Sequence, residues 1–162
     1  MQFKKTLTVL AATIALSQPA LAKAEQCPDS NQILEATTDQ ITCLTIDDLK
    51  EIGMTTMKTS TIWTDGVHVF EGTLLSDLLK HLEAEGSEIE ATAINDYSIK
   101  IPVTDAVADG PIVAYAMDGN PMSRRDKGPL WVIYPFDRSA KYRTETIYSR
   151  SIWQLSKIRI IN

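Results

Sequence analysis

Leucines at positions 74, 75, 78, 79 and 82 recur at the intervals that place apolar side chains on one side of a helix. Thr73 stands at a capping position before that run and Gly86 after it, with Lys80 and His81 off the stripe, so a helix is predicted between them. A shorter helix is predicted from Thr45, a suitable N-cap, through Asp47 and Asp48 at the positive end of its dipole, to a C′ glycine at Gly53. Residues 57–71 read differently. Thr59, Thr61 and Trp63 precede Thr64-Asp65-Gly66, and Val67, Val69 and Phe70 follow, so β-prone runs flank an Asp-Gly turn and predict a hairpin. Ile112–Met117, ending at Asp118-Gly119-Asn120-Pro121, and Leu130–Tyr134, closed by Pro135, are apolar runs that read as buried strands. Further strands are predicted over 89–94, 98–101 and 153–161, a helical turn over 105–108, and a short strand region next to the cysteines. The sum is an α+β domain, largely β, with two or three peripheral helices.

The first residues follow another pattern. Lys4 and Lys5 precede a short apolar run, Leu7 to Leu16, and Pro19-Ala20-Leu21-Ala22 supplies a small-x-small cleavage signal. Residues 1–22 are therefore expected to be a signal peptide cleaved after Ala22, leaving 23–162 as one domain in the periplasm. The run is shorter than the roughly 20 residues a membrane-spanning helix needs, and no later stretch is longer, so no membrane insertion of the mature chain is expected. Loss of two lysines takes the net charge from −5 to −7, and an acidic domain repels phosphate backbones, which disfavours nucleic acid as a partner. Cys27 and Cys43 are the only cysteines. In an oxidising compartment they are expected to pair, closing a loop of about 17 residues that contributes ~3 kcal/mol in the chain-entropy picture.

Familiar catalytic constellations are absent. The chain has no P-loop, GxGxxG, HExxH or GxSxG, and its two histidines, His68 and His81, read as surface residues. Two stretches stand out: residues 123–136, Ser-Arg-Arg-Asp-Lys-Gly-Pro-Leu-Trp-Val-Ile-Tyr-Pro-Phe, a basic loop feeding an aromatic apolar strand, and residues 148–153, Tyr-Ser-Arg-Ser-Ile-Trp. Arg and Trp interleaved with Ser and Tyr suit a flat polar heteroaromatic ligand: an indole stacks, a guanidinium donates, and a carboxylate such as Asp96 accepts from an amino-pyrimidine edge. The alternative for Trp131 and Tyr134 is core packing, and for Arg124, Arg125 and Lys127 a solvated turn.

Four segments together resemble a known family. Phe70-Glu71-Gly72-Thr73-Leu74-Leu75-Ser76-Asp77-Leu78-Leu79, Asn95-Asp96-Tyr97-Ser98, Ala114 to Met122 and Gly128 to Pro135 are similar, in order, to motifs of the sulfite-oxidase-like, molybdopterin-binding oxidoreductase domain. The resemblance covers roughly residues 45–161 and implies a mixed, largely β fold built to hold a pterin. Two departures accompany it. Catalytic members carry a molybdenum-ligating Cys after the first strand of this region, where this chain reads Lys58-Thr59-Ser60-Thr61-Ile62-Trp63, and the family's Lys-Trp-Leu appears as Trp153-Gln154-Leu155. A soft thiolate holds the metal, and hydroxyls replace it poorly.

The resemblance thus implies the small exported branch of the family, some members of which bind pterins without molybdenum as periplasmic partners of membrane signalling receptors. The expectation is a non-catalytic pterin-binding protein with no tightly bound cofactor or metal. Trp153 stacks on the ring, Tyr134 or Tyr97 lines the pocket, Asp96 accepts from the amino edge, and Arg150, Ser151 and Arg125 donate. The alternatives are a molybdopterin-dependent oxidoreductase and an interaction module that takes no small molecule.

Overall fold

The computed structural model describes Cys27 and residues 31–162, and the expected signal segment and cleavage site lie outside the described residues. In chain order the elements are β1 (Leu34–Thr37), β2 (Ile41–Leu44), α1 (Ile46–Ile52), β3 (Thr55–Ser60), β4 (Val67–Leu74), α2 (Leu75–His81) and β5 (Glu88–Ala93). They continue as β6 (Ser98–Pro102), β7 (Ile112–Met117), β8 (Asn120–Pro121), β9 (Trp131–Ile133), α3 (Glu145–Arg150) and β10 (Leu155–Ile161). One sheet runs β2-β1-β10-β5-β6; the other runs β3-β4-β7-β8, with β9 also paired to β7. The β1–β10 pairing is parallel and brings the last strand back beside the first. The sheets meet where β9 and the residue before it hydrogen-bond the approach to β10 and its first residue: Val132 N donates to Ile152 O and Leu155 N to Leu130 O, around a bridge between Trp131 and Trp153. This is the mixed, mostly sheet α+β architecture that the residue pattern predicts, with three short helices.

Cys27 and Cys43 form the expected disulfide. The α1 prediction also holds at its start, where Thr45 and Asp48 make a capping box: Asp48 N donates to Thr45 Oγ1 at 3.1 Å and Thr45 N to the Asp48 carboxylate at 2.7 Å. The bonds that the Asp48 carboxylate accepts from the Thr45 N–H and hydroxyl hold its carboxyl below the usual range. Gly53 ends the helix, but in extended conformation, with φ 160°, rather than the left-handed one of a C′ glycine. The turn expected at Asp118-Gly119-Asn120-Pro121 is a tight hairpin turn between β7 and β8, in which Asp118 and Gly119 take φ 51° and 75°, two positive values.

Two local expectations fail, each because a tertiary contact outweighs a local signal. Thr73 does not cap α2; it lies inside β4 opposite Val113, buried, and its hydroxyl donates to Leu49 O at 2.5 Å at the end of α1. The orphan N–H of Leu75 finds Pro111 O at 2.9 Å instead, so α2 starts without a side-chain cap. The hairpin is wider than an Asp-Gly turn requires: pairing ends at Ser60 and Val67, and Trp63 leaves the strand for the core. Asp137 draws Ser60 aside, accepting from its N–H at 2.6 Å and its hydroxyl at 2.7 Å. The segment before the last strand holds a helix, α3, that the residue pattern does not predict. Thr144 caps α3 by accepting from Ile147 N at 3.3 Å, and Trp153 precedes β10 rather than opening it.

Candidate functional site

Trp63, carried out of the hairpin, becomes the hub of an aromatic cluster. Its ring meets Trp131, Tyr148 and Trp153 edge-to-face with centroids 5.8, 5.8 and 5.7 Å away, and Phe136 at 6.3 Å. Such edge contacts place the positive rim of one ring against the negative face of another. Trp131 is fully buried beneath, its indole N–H donating to Ser151 O at 3.1 Å, so the core reading of that residue holds. Trp153 is 40% exposed at the surface above.

Between these rings lies a cavity of about 490 Å³. Ala93 at the end of β5 and Asn95 and Tyr97 in the following turn form one wall, Glu145, Tyr148 and Ser149 of α3 another. Ser151, Ile152 and Trp153 close it together with Trp63. The volume falls in the range of small-molecule sites, and the aromatic lining suits a flat ring.

Of the residues nominated from the sequence, Trp153, Tyr97 and Ser151 come together here. Ser151 is no free donor, being buried with its hydroxyl already given to Ile147 O at 3.2 Å and its carbonyl to Trp131. Tyr134 and Arg150 also come together, but not at the cavity. The Tyr134 hydroxyl and the Arg150 guanidinium both donate to Asp105, at 2.7 and 2.9 Å, and Tyr134 is fully buried. Burial, then the bond to Asp105, pushes the Tyr134 phenol far above its usual range. Asp96 is an exposed turn residue with φ 64°, beside the cavity in sequence but not part of its wall. Arg125 lies in an exposed helical turn, residues 124–126, and does not line the cavity either.

Sequence reasoning missed Trp63, Tyr148, Asn95 and Glu145. The only local signal for the two helical contributors, Tyr148 and Glu145, is Thr144-Glu145, an N-cap followed by an acid, ahead of a helix too short for its period to show. A cation does stand beside Trp153, although the family's lysine at that point is replaced. Lys127, in the loop before β9, holds its Nζ 5.6 Å from the Trp153 ring and 5.7 Å from that of Trp131.

His68 is more constrained than a surface reading suggests. Its Nδ1 faces the Asp118 carboxylate at 2.6 Å and its Nε2 faces Asp65 O at 2.9 Å. Both partners accept, so only the imidazolium satisfies both, and the bond to Asp118 raises the His68 pKa. The clasp ties the loop that carries Trp63 to the β7–β8 turn.

The family model described as oxidoreductase molybdopterin binding domain matches residues 33–142. The crystal structure of the sulfane dehydrogenase SoxCD from Paracoccus pantotrophus is similar in fold, with a TM-score of 0.61 at 16% identity. The alignment covers 85% of this chain and 40% of that one, so this chain spans less than half its length. No protein of curated function matches the chain.

A molybdenum centre held by a protein thiolate does not fit the donors present. Both cysteines of the chain are consumed in the disulfide. In the stretch where catalytic members place their ligand, Thr59 is buried, donating to Ser60 O and accepting from Asp137 N, while Ser60 is bound to the Asp137 carboxylate. Among the described residues no cluster of three His, Cys, Asp or Glu side chains is placed to hold a metal. Nor is any helix there long and apolar enough to cross a membrane. Fold, motif order and family match agree, and the chain belongs to the oxidoreductase molybdopterin binding domain family, as a member whose two cysteines are locked in a disulfide.

Proposed function

We propose that this protein binds a pterin-type ring in the Trp63–Trp153 cavity without catalysing a reaction on it. We place it in the periplasm, where it presents its bound or free state to the outer domain of a membrane signalling receptor. The observation that carries the reading is an aromatic-walled cavity of about 490 Å³ in a pterin-holding family, in a chain with no free thiol for the metal. Trp153 is the stacking face, and Tyr97 lines the same cavity. A stack worth about 1 kcal/mol beyond its buried area, with hydrogen bonds to a charged group, supports roughly micromolar binding after ordering losses. The disulfide and the N-terminal segment support the compartment.

The test is mass spectrometry and metal analysis on one preparation purified gently from its native compartment. A pterin without molybdenum supports the proposal, and Trp153→Ala then abolishes binding while the fold survives, because that indole is surface-exposed. Stoichiometric molybdenum overturns it in favour of a molybdopterin-dependent oxidoreductase, the reading that family membership favours in second place. Protein that carries no ligand and takes up no added pterin leaves an interaction module.

A further inference from the structure

We infer that Glu145 reads the hydrogen-bonding edge of the bound ring and restricts the ligand to fused pyrimidines that carry a 2-amino group next to a ring N–H. The inference rests on the cavity being a pterin site and says which edge chemistry that site accepts.

Charge points to it first. Of the residues lining the cavity, Glu145 alone carries a formal charge. Asp96, the acid nominated from sequence, lies outside the wall, and Asp105 is occupied by Tyr134 and Arg150. Availability points the same way. Ser149 and Ser151 have given their hydroxyl protons to Thr146 O and Ile147 O, at 2.8 and 3.2 Å, and the Asn95 carbonyl accepts from Tyr97 N at 3.2 Å. Among the described residues the Glu145 carboxylate has no hydrogen bond or ion pair, which leaves it the strongest uncommitted acceptor on the wall.

Position completes the argument. Glu145, Tyr148 and Ser149 follow at i, i+3 and i+4 on α3, so they share one face, and all three line the cavity. Tyr148 meets Trp63 edge-to-face at 5.8 Å, and Trp63 meets Trp153 at 5.7 Å. The carboxylate therefore stands one helical turn from the aromatic wall. A ring lying against these aromatics presents its edge, not its face, to the rim. The 2-amino-4-oxo edge of a pterin offers two parallel N–H donors, which match the two oxygens of one carboxylate. A 2,4-dioxo ring turns a carbonyl toward the same oxygens, and two acceptors repel.

The experiment is a titration of the full chain with 6,7-dimethylpterin and 6,7-dimethyllumazine, which differ in the 2-amino group, repeated with Glu145→Gln. Glu145 is exposed at the start of α3, so the variant folds, as circular dichroism checks. Loss of one charge-assisted pair corresponds to a factor of roughly ten to a hundred. The wild type is expected to favour the pterin at least tenfold, and Glu145→Gln to bring that ratio below about threefold. A ratio left unchanged by the substitution, or a wild type that binds both rings equally, overturns the role of Glu145 while the pterin reading stands. Folded wild type that binds neither ring overturns the pterin reading itself, and the inference with it.

Discussion

Replacing Tyr134 with phenylalanine removes a single hydroxyl from a fully buried position just past β9 and leaves its ring packed against Phe136 and Tyr142, 6.4 and 6.1 Å away. What is lost is the 2.7 Å bond to Asp105. Hydrogen bonds to charged groups contribute about 1.5–3 kcal/mol; Asp105 is 18% exposed and keeps Arg150, so the low end applies, about 1.5 kcal/mol. For a domain of this size that corresponds to a drop in Tm of about 5 °C. Asp105→Ala is harsher, because it orphans the Tyr134 hydroxyl and leaves Arg150, 21% exposed, without its counter-ion. About 3 kcal/mol is expected. The double variant should then fall short of the sum by roughly 1 kcal/mol, since the two groups share one bond. Urea unfolding of the four proteins measures all three quantities. A midpoint unchanged by Tyr134→Phe, or strict additivity in the double variant, would refute the triad as a stabilising tie between β9, α3 and the turn at Asp105. The sign with pH follows too. Burial raises the folded phenol, so its contribution is complete below about pH 10 and is lost above it as the unfolded chain ionises.

Reducing the Cys27–Cys43 bond, whose partners are 16 residues apart, should lower stability by about 3 kcal/mol, seen as a fall in Tm with dithiothreitol; an unchanged Tm would count against it. The His68 clasp contributes fully below about pH 6.5 and fades as pH rises through the raised folded pKa, so His68→Gln should flatten the unfolding midpoint between pH 6 and 9. The same slope in the variant would mean that the clasp is idle. Gly128→Ala should fail to fold, because a Cβ there would lie 1.9 Å from Met122 O, backbone that cannot retreat; soluble protein with native circular dichroism would contradict this. Asp48 and Asp137 are both held low, chiefly by backbone N–H bonds from Thr45 and Ser60, so their contribution is complete above about pH 3.8 and is lost as pH falls through the folded values. Asp48→Asn should shrink the loss measured on acidification.

Much of the fold was legible from residues close in sequence. Thr45 and Asp48 announce α1 because capping acts within one turn, and Ile112–Met117 announces β7 because a strand buried on both faces must be apolar throughout. Motif order identified the family because Gly72 and Gly128 sit where backbone approaches too closely for a side chain, constraints that leave a mark in sequence. The site was legible only in part. Of the residues nominated by type, Trp153, Tyr97 and Ser151 line the candidate cavity, whereas Tyr134, Arg150, Asp96 and Arg125 have that same chemistry and lie elsewhere.

The division has a physical basis. Periodicity, caps and turns are interactions between near neighbours, so the chain alone dictates where most strands and helices run, and its two cysteines suffice to name the disulfide. The cavity is assembled from the β3–β4 loop, the β5–β6 turn, α3 and the segment before β10, and no local rule links them. Whether Trp63 ends in a strand or in the aromatic cluster depends on Trp131, Tyr148 and Trp153 being there to meet it, and only the packing of the two sheets brings them there.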